Sequence, residues 1–242
     1  STDVRFVTAG KTDNKGRGWS SDFIRLLVAT QADGHFNQDC SSITFSFVKQ
    51  RKITRLLSIL GNLDAKYTIS TYERKGRTET KIRLNASDLT RKIRTELPNK
   101  ILTTKLLDLS YHEIKVLVGE VQYWDGTIKK NKDVCLDTTC KESVETLQAL
   151  CSLANIKAKV TSYTKSTTFG VCIIHRLYVS HVRSALSGSK PLGREVYDGY
   201  IGCVSVPSGL VLVRRRGFVI ISGNTINAKK LGIDRSSAKS FS

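Results

Sequence analysis

No apolar run approaches the about 18 residues that a membrane-crossing helix needs, and residues 1–20 are polar, so neither a transmembrane helix nor a signal peptide is expected. The six cysteines (Cys40, Cys135, Cys140, Cys151, Cys172, Cys203) never fall in a CxxC pair. That argues against a zinc ribbon and leaves reduced thiols as the expectation. The four histidines (His35, His112, His175, His181) form no HExxH or HxH cluster for a transition metal. Acid is scarce as well: 21 Asp and Glu stand against 39 Lys and Arg, a formal net charge of +18. Such an excess argues against an ordinary enzyme with small anionic products and suits a polyanion, here nucleic acid rather than membrane. What is present is a hydrophobic fraction of 40%, enough for a core, which excludes wholesale disorder. A length of 242 residues is long for one compact domain and short for two.

Along the chain, residues 1–19 carry Gly10, Gly16 and Gly18 and read as a loosely held lead-in. A helix is expected from Ser21 or Asp22, either of which can cap its first turn, to Asp33-Gly34, where glycine can take a left-handed position. The alternation Ile43-Thr-Phe-Ser-Phe47 predicts a strand, residues 53–63 a helix, and residues 67–72 and 81–85 a hairpin around a basic tip. An amphipathic helix over 86–97 is ended by Pro98. The order then repeats. Ser110-Tyr-His-Glu113 is a capping box opening an apolar run that ends at Asp125-Gly126, and Thr139-Cys-Lys-Glu142 reads as a second box opening a helix over about 140–155. Leu153-Ala-Asn-Ile-Lys-Ala-Lys-Val-Thr161 aligns with Leu60-Gly-Asn-Leu-Asp-Ala-Lys-Tyr-Thr68 at an offset of 93 residues, against 92 between Asp33 and Asp125. A duplicated αββαββα unit follows from the agreement.

Two equivalent helices ending in Asp-Gly would bring Asp33 and Asp125 together at a pseudo-twofold axis. Paired carboxylates repel unless divalent cations lie between them, and hard oxygen ligands favour Mg²⁺. Such a site, flanked by basic hairpins, suits cleavage of two phosphodiester bonds. The segments Leu26-Leu-Val-Ala-Thr-Gln-Ala-Asp-Gly34 and Val118-Gly-Glu-Val-Gln-Tyr-Trp-Asp-Gly126 resemble the two motifs of a monomeric LAGLIDADG homing endonuclease. The resemblance implies that Asp33 and Asp125 are the metal-binding catalytic carboxylates, holding two or more Mg²⁺ ions. It also implies saddle-shaped antiparallel sheets that read the major groove of double-stranded DNA. Val28, Glu120 and Tyr123-Trp124 depart from the pattern, standing where small residues usually let the helices pack closely. The family further carries a lysine near the metal site in each half. Lys100, in Pro98-Asn-Lys-Ile101, resembles it in the first; Lys190, in Ser-Gly-Ser-Lys190-Pro, is either its counterpart or a linker lysine. The stretch 74–105 holds ten Lys and Arg against three acids, and reads as phosphate contact. Arg74, Lys75, Arg77, Lys81 and Arg83, with Lys159 and Lys165 of the second repeat, are the candidate DNA-binding cations. Base readout is open among Thr44, Ser46, Thr68, Ser70, Lys81, Arg83, Thr161, Tyr163 and His175, about half of which are expected to face helices because strand faces alternate.

Residues 194–225 fall outside the duplication. Tyr197-Asp-Gly-Tyr-Ile-Gly-Cys203, then Leu-Val-Leu-Val-Arg-Arg-Arg-Gly217 and Ile-Ser-Gly-Asn224-Thr225, resemble the C-terminal blocks of a phage-type intein of class 3 character. An asparagine amide can attack its own carbonyl and cleave the next peptide bond, and a following hydroxyl can accept an acyl group. The resemblance implies that Cys203 makes the first attack, Thr225 receives the acyl group and Asn224 cyclises. For Cys203 the alternative is a buried strand thiol. Gly223 replaces the histidine usual before the asparagine, and residues 1–22 hold no N-terminal splicing block.

The expected organisation is an α/β (α+β) chain: a lead-in (1–19), LAGLIDADG subdomains at 20–105 and 106–192, an all-β intein segment at 193–224, and the start of a host protein at 225–242. The expected activity is Mg²⁺-dependent double-strand DNA cleavage by a monomer in the cytoplasm of a bacterial or phage-infected cell. Two alternatives are a sequence-specific DNA-binding protein that has lost cleavage and the C-terminal fragment of a split intein working in trans with an N-terminal fragment.

Overall fold

The computed structural model describes residues 4–7, 9–37, 41–74, 76–129, 133–168, 170–180, 184–187, 198, 206 and 210–223. The described residues form a mixed α/β structure with five α-helices, a four-stranded and a six-stranded antiparallel sheet, and a separate two-stranded ladder. The first repeat runs α1 (Ser21–Asp33), β2 (His35–Phe36), β3 (Ile43–Phe47), α2 (Gln50–Asn62), β4 (Tyr67–Arg74), β5 (Arg77–Leu84) and α3 (Asp88–Glu96), after an initial β1 (Val4–Val7). The second runs α4 (Tyr111–Glu120), β6 (Gly126–Ile128), β7 (Val134–Thr138), α5 (Lys141–Leu153), β8 (Lys157–Thr167) and β9 (Gly170–Ser180). It is followed by β10 (Ser184–Ser187), β11 (Leu210–Arg215) and β12 (Phe218–Gly223). The sheets are ordered β2-β3-β5-β4 and β11-β12-β8-β9-β7-β6, with β1 paired to β10.

The duplication extends to the register. Arg83 on β5 pairs with Thr44 on β3 and Thr68 on β4; Arg176 on β9 pairs with Asp137 on β7 and Thr161 on β8. All three positions differ by 93, the offset of the sequence alignment. The third helix is where the copies part: among the described residues, α3 has no helical counterpart after β9.

One buried apolar cluster joins both repeats. Leu26, Leu27 and Ala29 of α1 meet Ile114 and Leu117 of α4, Phe45 and Ile82 of the first sheet, and Leu147, Leu150 and Leu177 of the second repeat. Burying this surface stabilises at roughly 25 cal/mol per Å² and welds the repeats into one body. Helix α1 is apolar almost all round because α4, α2 and β3 all pack on it.

Several local expectations are corrected. The cap of α1 is Ser20, whose hydroxyl accepts from the Phe23 amide at 3.2 Å; Asp22 lies in the first turn and pairs with Arg25 at 2.8 Å. Gly34 is extended (φ −72°, ψ 148°), not left-handed; it is needed because a Cβ there would lie 2.8 Å from the Thr30 carbonyl oxygen. Gly126 repeats this, with a Cβ falling 2.7 Å from the Gln122 Cα. The Ser110–Glu113 capping box forms, but the Thr139–Glu142 box does not: the cap of α5 is Cys140, with no side-chain cap bond, and Thr138 Oγ1 instead accepts from the Cys140 amide at 3.1 Å.

The lead-in is tied down rather than loose. The Gly10 and Thr12 amides donate to the Ser152 and Leu153 carbonyls at the end of α5, at 2.7 and 2.8 Å. Glu113, 4% exposed, accepts from the amides of Arg17 and Trp19 as well as from Ser110. Burial pushes its carboxyl up, but these hydrogen bonds win and hold it below the ordinary range. At the other end, β12 continues the second sheet: Phe218 pairs with Lys159, and the Gly217 carbonyl accepts from the Val160 amide at 3.0 Å and from Gln148 Nε2 at 2.8 Å.

Candidate active site and nucleic-acid interface

Helices α1 and α4 pack on each other; Asp33-Gly34 ends α1, Asp125-Gly126 follows α4 after one 3₁₀ turn, and each step leads into a short edge strand, β2 or β6. The two carboxylates converge on one ammonium. Lys52 Nζ lies 2.5 Å from Asp33 Oδ2 and 3.8 Å from Asp125 Oδ1. Lys52 sits in the first turn of α2, next to the buried Ile53, and is itself only 9% exposed. No reading of the sequence singled it out. The available signal is a lysine placed on the apolar stripe that continues through Ile53, Leu56, Ile59 and Leu60.

Lys100 arrives from a different direction. Pro98 stops the helical path after α3, and Asn99 and Lys100 both take positive φ (54° and 61°), turning the chain back toward the end of α1. Lys100 Nζ comes to 3.5 Å from the Ala32 carbonyl oxygen, and both Asp125 and Asp33 act on its charge. Burial lowers its pKa, and the two carboxylates only partly offset that. Burial, then repulsion from Asp33, raises the Asp125 carboxyl; Lys52 and Lys100 oppose the shift without cancelling it. The site is thus two acids and two lysines, with ionisation of Asp125 disfavoured by its burial and by Asp33. Lys190 lies outside the described residues.

The end of α4 is built differently from that of α1. After Glu120 the helix tightens into a 3₁₀ turn, Val121–Tyr123, which swings the buried Trp124 onto Phe47 at 6.0 Å between ring centroids. Glu120 is 2% exposed, receives Arg55 Nε and Nη2 at 2.6 and 2.5 Å, and accepts from Trp124 Nε1 at 2.9 Å. Arg55 also stacks on the Tyr123 ring at 3.4 Å, and Arg51 donates to the Tyr123 carbonyl at 2.6 Å. The residues that depart from the small-residue pattern therefore form a clamp between α4 and α2.

The outer sheet faces carry the candidate nucleic-acid contacts. Thr44, Ser46, Thr68, Ser70, Lys81 and Arg83 share one face, because Phe45, Phe47, Ile82 and Leu84 between them point into the core. Thr161 and Tyr163 take the same face of the second sheet, whereas His175 pairs with Ser162 on the opposite one, their Nδ1 and Oγ 2.7 Å apart. Eight of the nine candidates thus face away from the helices, not half of them. Arg77, Lys81, Arg83 and Lys165 are exposed. Arg74 closes β4, with its side chain outside the description, as is Lys75. Lys159 lies under the Phe218 ring at 4.3 Å. In the second sheet Arg176 is bound at 2.6 Å through both Nε and Nη2 to Asp137, which holds the Asp137 carboxyl below its usual range. Its counterpart Arg83 donates, among the described residues, to the Ser42 hydroxyl at 3.2 Å. Cys203, Asn224 and Thr225 lie outside the described residues. No helix is long and apolar enough to cross a membrane among those residues.

No protein-family model matches the chain. Among curated proteins it is 27% identical over 217 residues to the ribonucleoside-diphosphate reductase subunit beta of Aquifex aeolicus, a match covering 83% of this chain and 30% of that protein. The chain therefore spans about a third of the length of that relative. Among solved structures it is similar to full-length DUF199/WhiA from Thermatoga maritima (15% identity, TM-score 0.45, covering 67% of this chain and 52% of that one). It is also similar to I-DmoI in complex with DNA and Mn (14% identity, TM-score 0.46, 66% and 89%). A third is the N-terminal LAGLIDADG domain of DUF199/WhiA (15% identity, TM-score 0.43, 68% and 78%).

Proposed function

We propose that this chain is a site-specific, Mg²⁺-dependent double-strand DNA endonuclease of the LAGLIDADG homing type. The observation that carries the reading is the convergence of Asp33 and Asp125, at the end of α1 and just beyond that of α4, within 4 Å of one lysine. Their donor set fits a hard divalent cation: two carboxylates close together, with burial and then repulsion from Asp33 raising the Asp125 carboxyl. No group of three or more His, Cys, Asp and Glu side chains converges among the described residues, so substrate phosphate and water would complete the coordination. Mg²⁺ held by Asp33 and Asp125 would polarise a phosphate oxygen and acidify a bound water.

The protein's own groups do the rest. Lys52 neutralises the carboxylates while they are held at close quarters. Lys100, partly desolvated, offers its N–H groups to the charge that develops on the phosphate. Exposed Arg77, Lys81, Arg83 and Lys165 supply phosphate contacts, which fix the position of a duplex, while strand side chains between them meet base edges.

The test is cleavage of a duplex carrying the uninterrupted insertion site. The unsubstituted chain should cut both strands with Mg²⁺ and not with EDTA, and Asp33→Asn and Asp125→Asn should each lower the rate by about 100-fold or more. One observation favours a second reading, a DNA-binding protein that has lost cleavage: the Lys52 ammonium already fills the place between the carboxylates. Binding with no metal-dependent nicking, indifferent to both substitutions, would establish that reading instead.

The association with an intein rests on Cys203, Asn224 and Thr225 as residue types. A match limited to 30% of a reductase subunit accords with an element carried inside an unrelated protein. Mixing the chain with a matching N-terminal intein fragment should yield a ligated product, and its absence would remove splicing from the proposal.

A further inference from the structure

The β11–β12 hairpin creates a basic cleft that none of the groups above explains. Register ends at Arg215↔Phe218, so Arg216 and Gly217 form a two-residue turn, both with positive φ (51° and 77°). Gly217 packs so closely on β8 that a Cβ would fall 1.8 Å from the Val160 carbonyl oxygen. The turn is thereby fixed beside β8, and a cleft of about 480 Å³ opens between the hairpin, β8 and the start of α5. Four cations line it: Lys141, Lys159, Arg214 and Arg216. One acid, Glu145, lines it too and is engaged by Arg214 Nη2 at 2.9 Å. Lys141 and Arg216 are exposed and make no ion pair among the described residues. The cleft is lined by Thr161 of the outer face of β8 and by Ser162 and His175 of the opposite one, so it wraps the edge of the sheet and meets the surface that carries Tyr163 and Lys165.

We propose that this cleft is a phosphate-contact site that extends the duplex-DNA interface past the edge of the second repeat; the proposal rests on the DNA reading above. Guanidinium forks and ammonium groups recognise backbone phosphates without regard to sequence. The hairpin joins the second sheet by its turn end, at Phe218↔Lys159, and adds its cations beside that edge. The first sheet has no such addition among the described residues, so the footprint on DNA is lopsided toward the second repeat.

The test is the salt dependence of binding to a mixed-sequence duplex, followed by fluorescence anisotropy. Each phosphate contact contributes about −0.9 to the slope of log K against log[salt], so the double variant Lys141→Gln/Arg216→Gln should reduce the slope by about 2. Both residues are exposed, and an unchanged melting temperature checks that the variant folds. Lys115→Gln, on α4 and outside the cleft, should leave the slope as it was. An unchanged slope in the folded double variant overturns the proposal while leaving the DNA reading intact. Absence of any salt-dependent duplex binding by the unsubstituted chain overturns both.

Discussion

Helices α1 and α4 occupy equivalent places in the two repeats, yet they solve the same packing problem in different ways. Helix α1 is a regular thirteen-residue helix closed by hydrophobic contact on nearly every side, with Val28 buried at its centre. Helix α4 has ten residues, a tightened end, and a buried carboxylate in the position corresponding to Val28. Where α1 uses apolar area, α4 uses a bidentate ion pair to Arg55 and an indole hydrogen bond. Duplication therefore preserved where Asp33 and Asp125 are delivered and left free how each helix is held there. The asymmetry reaches the site: Asp33 lies at 2.5 Å from Lys52, while Asp125 stands at 3.8 Å with its carboxyl raised.

The clamp gives the largest expected effect. Glu120→Ala leaves Arg55 without its buried partner, and breaking such a pair costs about 3 kcal/mol, at the low end of the usual range because Arg55 is 29% exposed. Chemical denaturation should register this, and a loss no greater than that of an exposed pair would mean the two helices are held alike after all. The start of α4 comes next. Glu113→Gln weakens the bonds to the Arg17, Trp19 and Ser110 amides and should cost about 1–3 kcal/mol. Because the Glu113 carboxyl is lowered in the fold, its contribution is present above the unfolded pKa and fades as pH falls through the folded one. The difference between wild type and Glu113→Gln should therefore shrink in acid, whereas Ser20→Ala at the start of α1, costing about 1 kcal/mol, should lose little more of its effect.

Smaller effects probe the ends of the helices. Lys52→Met leaves Asp33 and Asp125 facing each other, so Mg²⁺ should raise the melting temperature of this variant more than that of the unsubstituted chain. Equal shifts would show that Lys52 does not compete for the place between the carboxylates. The smallest is Asp125→Asn. A raised carboxyl contributes stability below its unfolded pKa and loses it as pH rises through the folded one. Removing that charge should raise the melting temperature slightly at neutral pH, with the gain disappearing in acid.

The sequence was most legible where a local rule and a repeated rule coincided. The Asp-Gly steps and the aligned strands each recur in the second copy, and both bring equivalent residues to equivalent places in the structure. Neither capping box has a copy in the first repeat: Ser110–Glu113 forms, whereas the chain caps α5 at Cys140 without a side-chain bond. Lys52 was hard to read because its place on the apolar stripe of α2 marks it only as buried; what it faces depends on how α2 packs beside α1 and the Asp-Gly steps. Glu120, Tyr123 and Trp124 were visible as departures, but their partners Arg55 and Phe47 lie in the other repeat.

What the sequence by itself determined is the set of groups with strong local preferences: helices ending where glycine alone fits, strands whose alternation assigns each residue a face, and a charge suited to a polyanion. These follow from backbone sterics and period-two geometry, which act over a few residues. The tertiary structure alone decided which charges neighbour each other. It placed Lys52 between two carboxylates, seated a buried Glu120 against Arg55, and folded a C-terminal hairpin onto the second sheet. Coulombic and desolvation energies depend on distance and burial in space, and these are set only when segments far apart in the chain have packed.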